Sequence, residues 1–510
     1  MPTWGLPSSV TVMDAGDATA SCIWHWSAGS DENPPCAYES YNLDHESARI
    51  DAIQPTQYLT ESSKTWTPSS DHLWSTEYDD CLTVSNEIMS RLRNEICRRR
   101  SGQAMYPHEW SSQVANECFA LFGPTSLIKF TQEYWSTWYI HWPAIHRATF
   151  RISQAPAALV ASMVLLATTY SVDANTRELG RCWGDAVETM VFTDEYFGNA
   201  TLFSSLNAAC LERRLRALQA GLAICVYQTF EGTAISRRRA RRSRFNEVVD
   251  MGRELGFQNG RHTDLQNVTK DTFCWEEFIL KEELIRTLTY MIILDSSFGI
   301  MYNTVPKVMV EEVQTDLFCP EACFQASTES ECLQHLLAWV SHPLWKGRRI
   351  SFADALNILR GTELDSQTQQ MFTQLGELNL YVLTAALHST IFYIRNSMLP
   401  FDPNSDVSNI MRNWRRIWTL RELMRPREAF GTPAQLTGDE SARGERWRQT
   451  GFMKDALQFW LLGQIMLDSK RSRNLDKDSK TGNNNLTSQF DQPGMSNLKQ
   501  YLSKLGEDYQ

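Results

Sequence analysis

Two groupings in this 510-residue chain have residue types and spacings that could do chemistry. The stretch CPEACFQASTESECLQH sets Cys319, Cys323, Cys332 and His335 at distances along the chain that a tetrahedral zinc site tolerates. The stretch SRRRARRSRF packs six arginines, Arg237, Arg238, Arg239, Arg241, Arg242 and Arg244, into eight residues. The first would hold a soft divalent metal. The second would attract phosphate or an acidic receptor groove.

The metal reading gives way to a structural one. No two cysteines stand closer than four residues, so the chain has no C-x-x-C. That removes the C-x-x-C of the usual C₂H₂ finger and of six-cysteine binuclear clusters. Cys22, His25, Cys36 and His45 do not restore it. Cys332 shares a helical face with Leu336 and Trp339, Thr328 with Glu331 forms a capping box, and Pro320 suits a first helical position after Cys319. Core thiols are therefore expected, with no metal. HExxH, G-x-S-x-G and G-x-x-x-x-G-K-[ST] are also absent. Nothing proposes a catalytic residue, a cofactor or an enzyme.

Phe245, Val248, Val249 and Leu255 give the arginine run an apolar face downstream. That predicts the start of an amphipathic helix with its guanidinium groups in water. Three roles stay open for the run: a solvated face, a nuclear-import address, or a salt-sensitive nucleic-acid contact. The last is the weakest, because the formal net charge is −11 and no base-reading motif accompanies it.

The elements around these groups are helical. Leu211, Leu215, Leu218 and Leu222 fall on one face, with Gly232 as a stop, and 372–396 and 452–467 repeat the pattern. Strict alternation is nearly missing, and Asn259-Gly260 reads as a helix-ending turn. The fold class is all-α, a large irregular helical bundle over 81–470. Residues 1–80 hold 13 acidic and two basic residues with five Trp and four Tyr. Such a segment cannot bury enough apolar surface to order itself, so it is expected to be disordered, and it resembles acidic activation segments. Residues 471–510 form a polar tail. The start of the chain carries no signal-peptide pattern, which implies reduced cysteines inside a cell. The 21 uncharged residues between Arg151 and Asp173 are long enough for a bilayer, but Ser, Thr, Gln and Pro dilute them, so a buried helix and no membrane are expected.

Several segments carry a resemblance. YWSTWYIHWPAIHRATF (134–150), LVASMVLLATTYS (159–171), the paired helices of 213–257, WEEFILKEELIRTLTYMIILD (275–295) and CPEACFQA (319–326) resemble, in order, the fungal-specific transcription factor regulatory domain. This is the middle homology region of fungal zinc-finger and zinc-cluster activators. The resemblance implies a nuclear, pathway-specific transcriptional regulator, for example of a biosynthetic gene cluster. Its partners would be the transcription machinery or a DNA-binding protein, with a small-molecule effector. DNA would be reached through a partner or a zinc module outside this chain. A stand-alone co-regulator that antagonises a longer relative is the alternative, and a helical small-molecule-binding protein or enzyme the second. Within the W…E…R…D helix, Glu282 and Arg286 sit four apart and read as a local pair worth a few tenths of a kcal/mol, with a reach across to another helix that pins the bundle as the alternative.

Overall fold

The computed structural model describes residues 71–98, 109–198, 208–346, 348–397, 406–424 and 451–475. The architecture below is that of the unit that starts at Thr76. Its longer helices are α1 (Asp71–Arg98), α2 (Ser112–Phe122), α3 (Pro124–Glu133), α4 (Ala157–Thr168), α5 (Ala174–Phe192), α6 (Ala208–Glu231), α7 (Ala234–Arg239), α8 (Phe245–Leu255), α9 (Trp275–Tyr302), α10 (Glu329–Ser341), α11 (Phe352–Leu359), α12 (Ser366–Thr373), α13 (Glu377–Asn396), α14 (Asp406–Met424) and α15 (Ala456–Leu475). β pairing among the described residues is one antiparallel bridge, Asp316 with Ser351. The fold is all-α, as expected.

Five helices carry the core in series. α4 packs on α6, α6 on α9, α9 on α13, and α13 on α15. α4 is the innermost: all 12 of its residues are buried, and Ser162 and Thr168 donate their hydroxyls back to the Ala158 and Leu165 carbonyls. At about 1.5 Å per residue it spans roughly 18 Å, well short of a ~30 Å hydrocarbon layer. α9 is long and apolar enough to cross a membrane, yet 78% of its apolar window is buried, and Glu282, Glu283, Arg286 and Asp295 lie on it.

Three boundaries differ from the sequence expectation. α1 begins at Asp71, so 71–80 is helical where disorder was expected. Val84, Ile88, Leu92 and Ile96 are buried at four-residue spacing and supply the nucleus, from which upstream turns extend at little cost. α15 runs to Leu475, into the expected polar tail. α8 is stopped by Gly256 at φ +84, not by Asn259-Gly260, because the left-handed region needs glycine there. α6 ends at Glu231, with Gly232 donating to the Gln228 carbonyl, as expected. Residues 1–70 and 476–510 lie outside the described residues.

Two buried imidazoles and one buried carboxyl bear on the stability of this core between about pH 6.5 and 4. Burial pushes His146 and His388 down to about 4 from 6.5. Burial pushes Asp295 up to about 6 from 3.8, against the Val308 and Lys307 amides that hydrogen-bond it. As pH falls from 6.5 to 4 the unfolded chain takes up two protons that the folded chain refuses, so stability drops. Asp295 works the other way between 6 and 3.8, because there the folded chain holds the extra proton. Between about pH 6 and 4 the two histidines outweigh the one carboxyl, so stability still falls as pH falls. Asp295→Asn removes the opposing titration, so its slope of unfolding free energy against pH should be steeper between about pH 6 and 4. Equal slopes would contradict this assignment.

Candidate functional site

A largely buried ionic network lies where α9 meets the segment after α3. Arg286 donates through Nε to Glu282 Oε1 at 2.8 Å, through Nη2 to Glu321 Oε1 at 2.8 Å, and through Nη1 to the Pro143 carbonyl at 3.0 Å. Its guanidinium stacks 3.8 Å from the centre of the Phe324 ring. The local Glu282–Arg286 pair is present, but both side chains are 0% exposed and Arg286 also crosses to other segments. The few tenths of a kcal/mol suited to a surface pair do not apply to it. Burial alone would raise the Glu282 carboxyl; Arg286, with the His262 hydrogen bond, outweighs this and holds it at about 2. Next to it Glu283 accepts from the His146 amide at 2.7 Å and pairs with Arg216 of α6 at 2.9 Å. The His146 Nε2 faces the Ala326 carbonyl at 3.3 Å, which makes that nitrogen the donor.

Above this network opens a cavity of about 260 Å³. Its floor is the extended segment Asp316–Pro320, its walls the loop His262–Gln266, the end of α10 with Trp339 and Val340, Trp345 with Arg348–Ile350, and Gln374–Asn379. The walls are pinned by side chains reaching backbone. Asn379 brackets Phe318, accepting from its N–H and donating to its carbonyl at 3.0 Å each. Arg349 grips Asp316 through Nε and Nη2 and also donates to the His262 carbonyl. His262 stacks on Phe278 with ring centres 4.7 Å apart and meets Glu282 Oε2 at 2.8 Å. Trp339 and Trp345 lie 6.1 Å apart, and Trp345 donates its indole N–H to Gln374.

The cysteines sit beneath this cavity, in the core. Cys319, Cys323 and Cys332 are buried in one apolar cluster with Phe324 and Leu336, and Trp339 packs against it. Burial pushes the Cys332 thiol up to about 12 and raises the Cys319 thiol well above its ordinary value, so both stay neutral in the metal-free core. Thr328 caps α10 through Glu331 N, but the Glu331 carboxylate reaches Ser327 N and not Thr328 N. Pro320 is itself the residue before the turn Glu321–Phe324, one place earlier than its expected first helical position.

The arginine run is not a solvated face. Arg239 donates to Glu188 through Nε at 2.6 Å and Nη2 at 2.7 Å, and to Asp185 at 2.6 Å. Arg244 reaches the same Glu188 at 2.8 Å. Glu188 belongs to α5 and is 2% exposed. Arg241 is buried, 3.6 Å from the Tyr302 ring centre, and Arg237 donates to the Gly232 carbonyl. Only Arg238 and Arg242 of the six are exposed. Local geometry makes the double contact. Residues five apart lie about 140° round an α-helix. Between α7 and α8 the chain makes a wider turn over Ala240–Arg244, with Phe245 N bonded to the Ala240 carbonyl, and Arg239 and Arg244 both reach Glu188.

A family model described as the fungal specific transcription factor domain matches residues 131–417, the span that holds the network, the cavity and the run. The chain belongs to this family. Transcription factor verF of Penicillium polonicum is 32% identical over 395 residues, covering 77% of this chain and 53% of that protein. Zinc finger protein zas1 of Schizosaccharomyces pombe is 24% identical over 228 residues, covering 43% of this chain and 23% of that protein. The chain thus spans about half the length of the first relative and under a quarter of the second. No solved structure matches it.

The fungal transcription factor domain explains its own motif residues physically. The aromatic segment HWPAIH is held by carbonyls and amides offered to α6 and α9: Pro143 to Arg286, Ala144 to Gln219, His146 to Glu283. In the W…E…R…D helix, Trp275 packs on the cysteine cluster, and Asp295 holds the Lys307 and Val308 amides. Sequence reading missed the cavity walls and the Asp185–Glu188 partners. Each lies dozens of residues from the groups it meets, and no local spacing signals such a meeting.

Proposed function

We propose that this chain is a nuclear transcriptional regulator and not an enzyme, controlling a defined gene set such as a biosynthetic cluster. The observation that carries the reading is the family match across 131–417, joined by the identity to a transcription factor along most of the chain. Its helical domain would dock the transcription machinery or a DNA-binding partner. DNA would be reached through that partner or through a zinc module outside this chain. The cavity supports a small-molecule effector. Deleting the gene and measuring all transcripts should change one coherent set; no coordinated change would overturn the reading.

The import role proposed for Arg237, Arg238, Arg239, Arg241, Arg242 and Arg244 narrows to Arg238 and Arg242, the members exposed in the folded chain. Arg238→Gln with Arg242→Gln should move a fluorescently tagged chain from nucleus to cytoplasm while its melting temperature is kept. A double variant that stays nuclear removes the import role.

A further inference from the structure

The cavity has a chemical bias that its walls reveal. Most of its lining is apolar or aromatic: Leu265, Phe318, Pro320, Trp339, Trp345 and Leu375. Its polar groups are nearly all satisfied from within the protein. Asn379 is taken by Phe318, Asp316 by Arg349 and the His262 amide, His262 by Glu282, and Gln374 by Trp345. Asp264 is turned into its own Asx turn, accepting from Gln266 N and Asn267 Nδ2. Among the cavity's charged groups two have no ion-pair partner, the Asp264 carboxylate, held by those amides, and Arg348. Arg348 lines the cavity and is exposed. Its guanidinium has a single partner among the described residues, the Met371 thioether at 3.6 Å. A thioether is a weak acceptor and neutralises nothing.

We propose that this cavity binds a small aromatic carboxylic acid, with its ring between Phe318 and the Trp339–Trp345 pair and its carboxylate on Arg348. This rests on the effector reading above and names the ligand class for the same site. Aromatic walls reward a flat apolar body. A guanidinium with no carboxylate of its own fits a planar anion in a bidentate way, and the acid would not have to displace an internal partner. At about 260 Å³ the cavity sits just under the usual ~300–1,000 Å³ of ligand pockets, which favours one or two fused rings over a larger skeleton.

The test uses the full chain, with 2-naphthoate and its neutral isostere 2-naphthamide as probes, read by tryptophan fluorescence and by melting temperature. Naphthoate should quench fluorescence, raise the melting temperature and bind about tenfold more tightly than the amide. Arg348→Gln should abolish that preference without altering the melting temperature of the free protein, since the side chain is exposed. Equal affinity for acid and amide, an unchanged preference in the variant, or no binding of either probe would each overturn the assignment. Because binding is measured on purified protein, such a failure leaves the transcript measurement independent of it.

Discussion

Arg286→Met should lower the free energy of unfolding by about 3–5 kcal/mol, a shift of roughly two to three and a half powers of ten in the folding equilibrium. The measurement is a urea titration, with the midpoint falling and the slope unchanged. The expectation comes from what stays behind. Glu282 is 0% exposed and Glu321 is mostly buried, and both point at the guanidinium that methionine removes. Glu282 keeps only the His262 ring and the Cys319 amide for its oxygens, and the Pro143 carbonyl loses its donor. Arg286→Lys should recover little, since one ammonium cannot reach three acceptors in the directions the planar fork serves. Wild-type Glu282 also sets an acid limit. Its carboxyl, held at about 2, binds its proton later than the unfolded chain's at about 4.5, so its contribution is full above pH 4.5 and lost as pH falls toward 2. A loss below about 1 kcal/mol in Arg286→Met would show that the carboxylates find other partners, and would sink the network's structural role.

The second large effect divides the arginine run. Arg239→Gln with Arg244→Gln should destabilise the domain by about 3–5 kcal/mol, because Glu188 then stands buried with only Gln228 as a donor. Arg238→Gln with Arg242→Gln, on the exposed side, should change stability by less than about 1 kcal/mol. Glu188→Gln in the Arg239/Arg244 background should restore part of the loss by removing the stranded charge. Equal midpoints for the two double variants would mean that the Glu188 clamp contributes nothing, and that six exposed cations describe the run after all.

How much of this was legible beforehand follows from the range of the interactions. α6 announces itself because an apolar face repeats every three or four residues, α4 because its run carries no charge, and Gly232 ends α6 where its position suggests. Cys332 was readable as core from its alignment with Leu336 and Trp339. The arginines were not. Six adjacent cations look solvated until α5, some fifty residues earlier, supplies Asp185 and Glu188. The wider turn at Ala240–Arg244 that lets two arginines share one carboxylate has no signature in composition. The cavity depends on four loops brought together by Asn379, Arg349 and Trp345, each bonding to a distant partner. Glu282 and Arg286 show both sides: their four-residue spacing was visible, and their burial was not.

The extended floor of the cavity has a consequence for amide hydrogen exchange. From Asp316 to Cys319 every backbone N–H is donated, to the Gly260 carbonyl, the Ile350 carbonyl, the Asn379 side chain and the Glu282 carboxylate in turn, and Pro320 has none to offer. Four successive donors thus report on four different parts of the domain. A stretch outside any helix should therefore take up deuterium as slowly as the centre of α9. Its four amides should also exchange together, because none can open without detaching the floor from the neighbours that hold it.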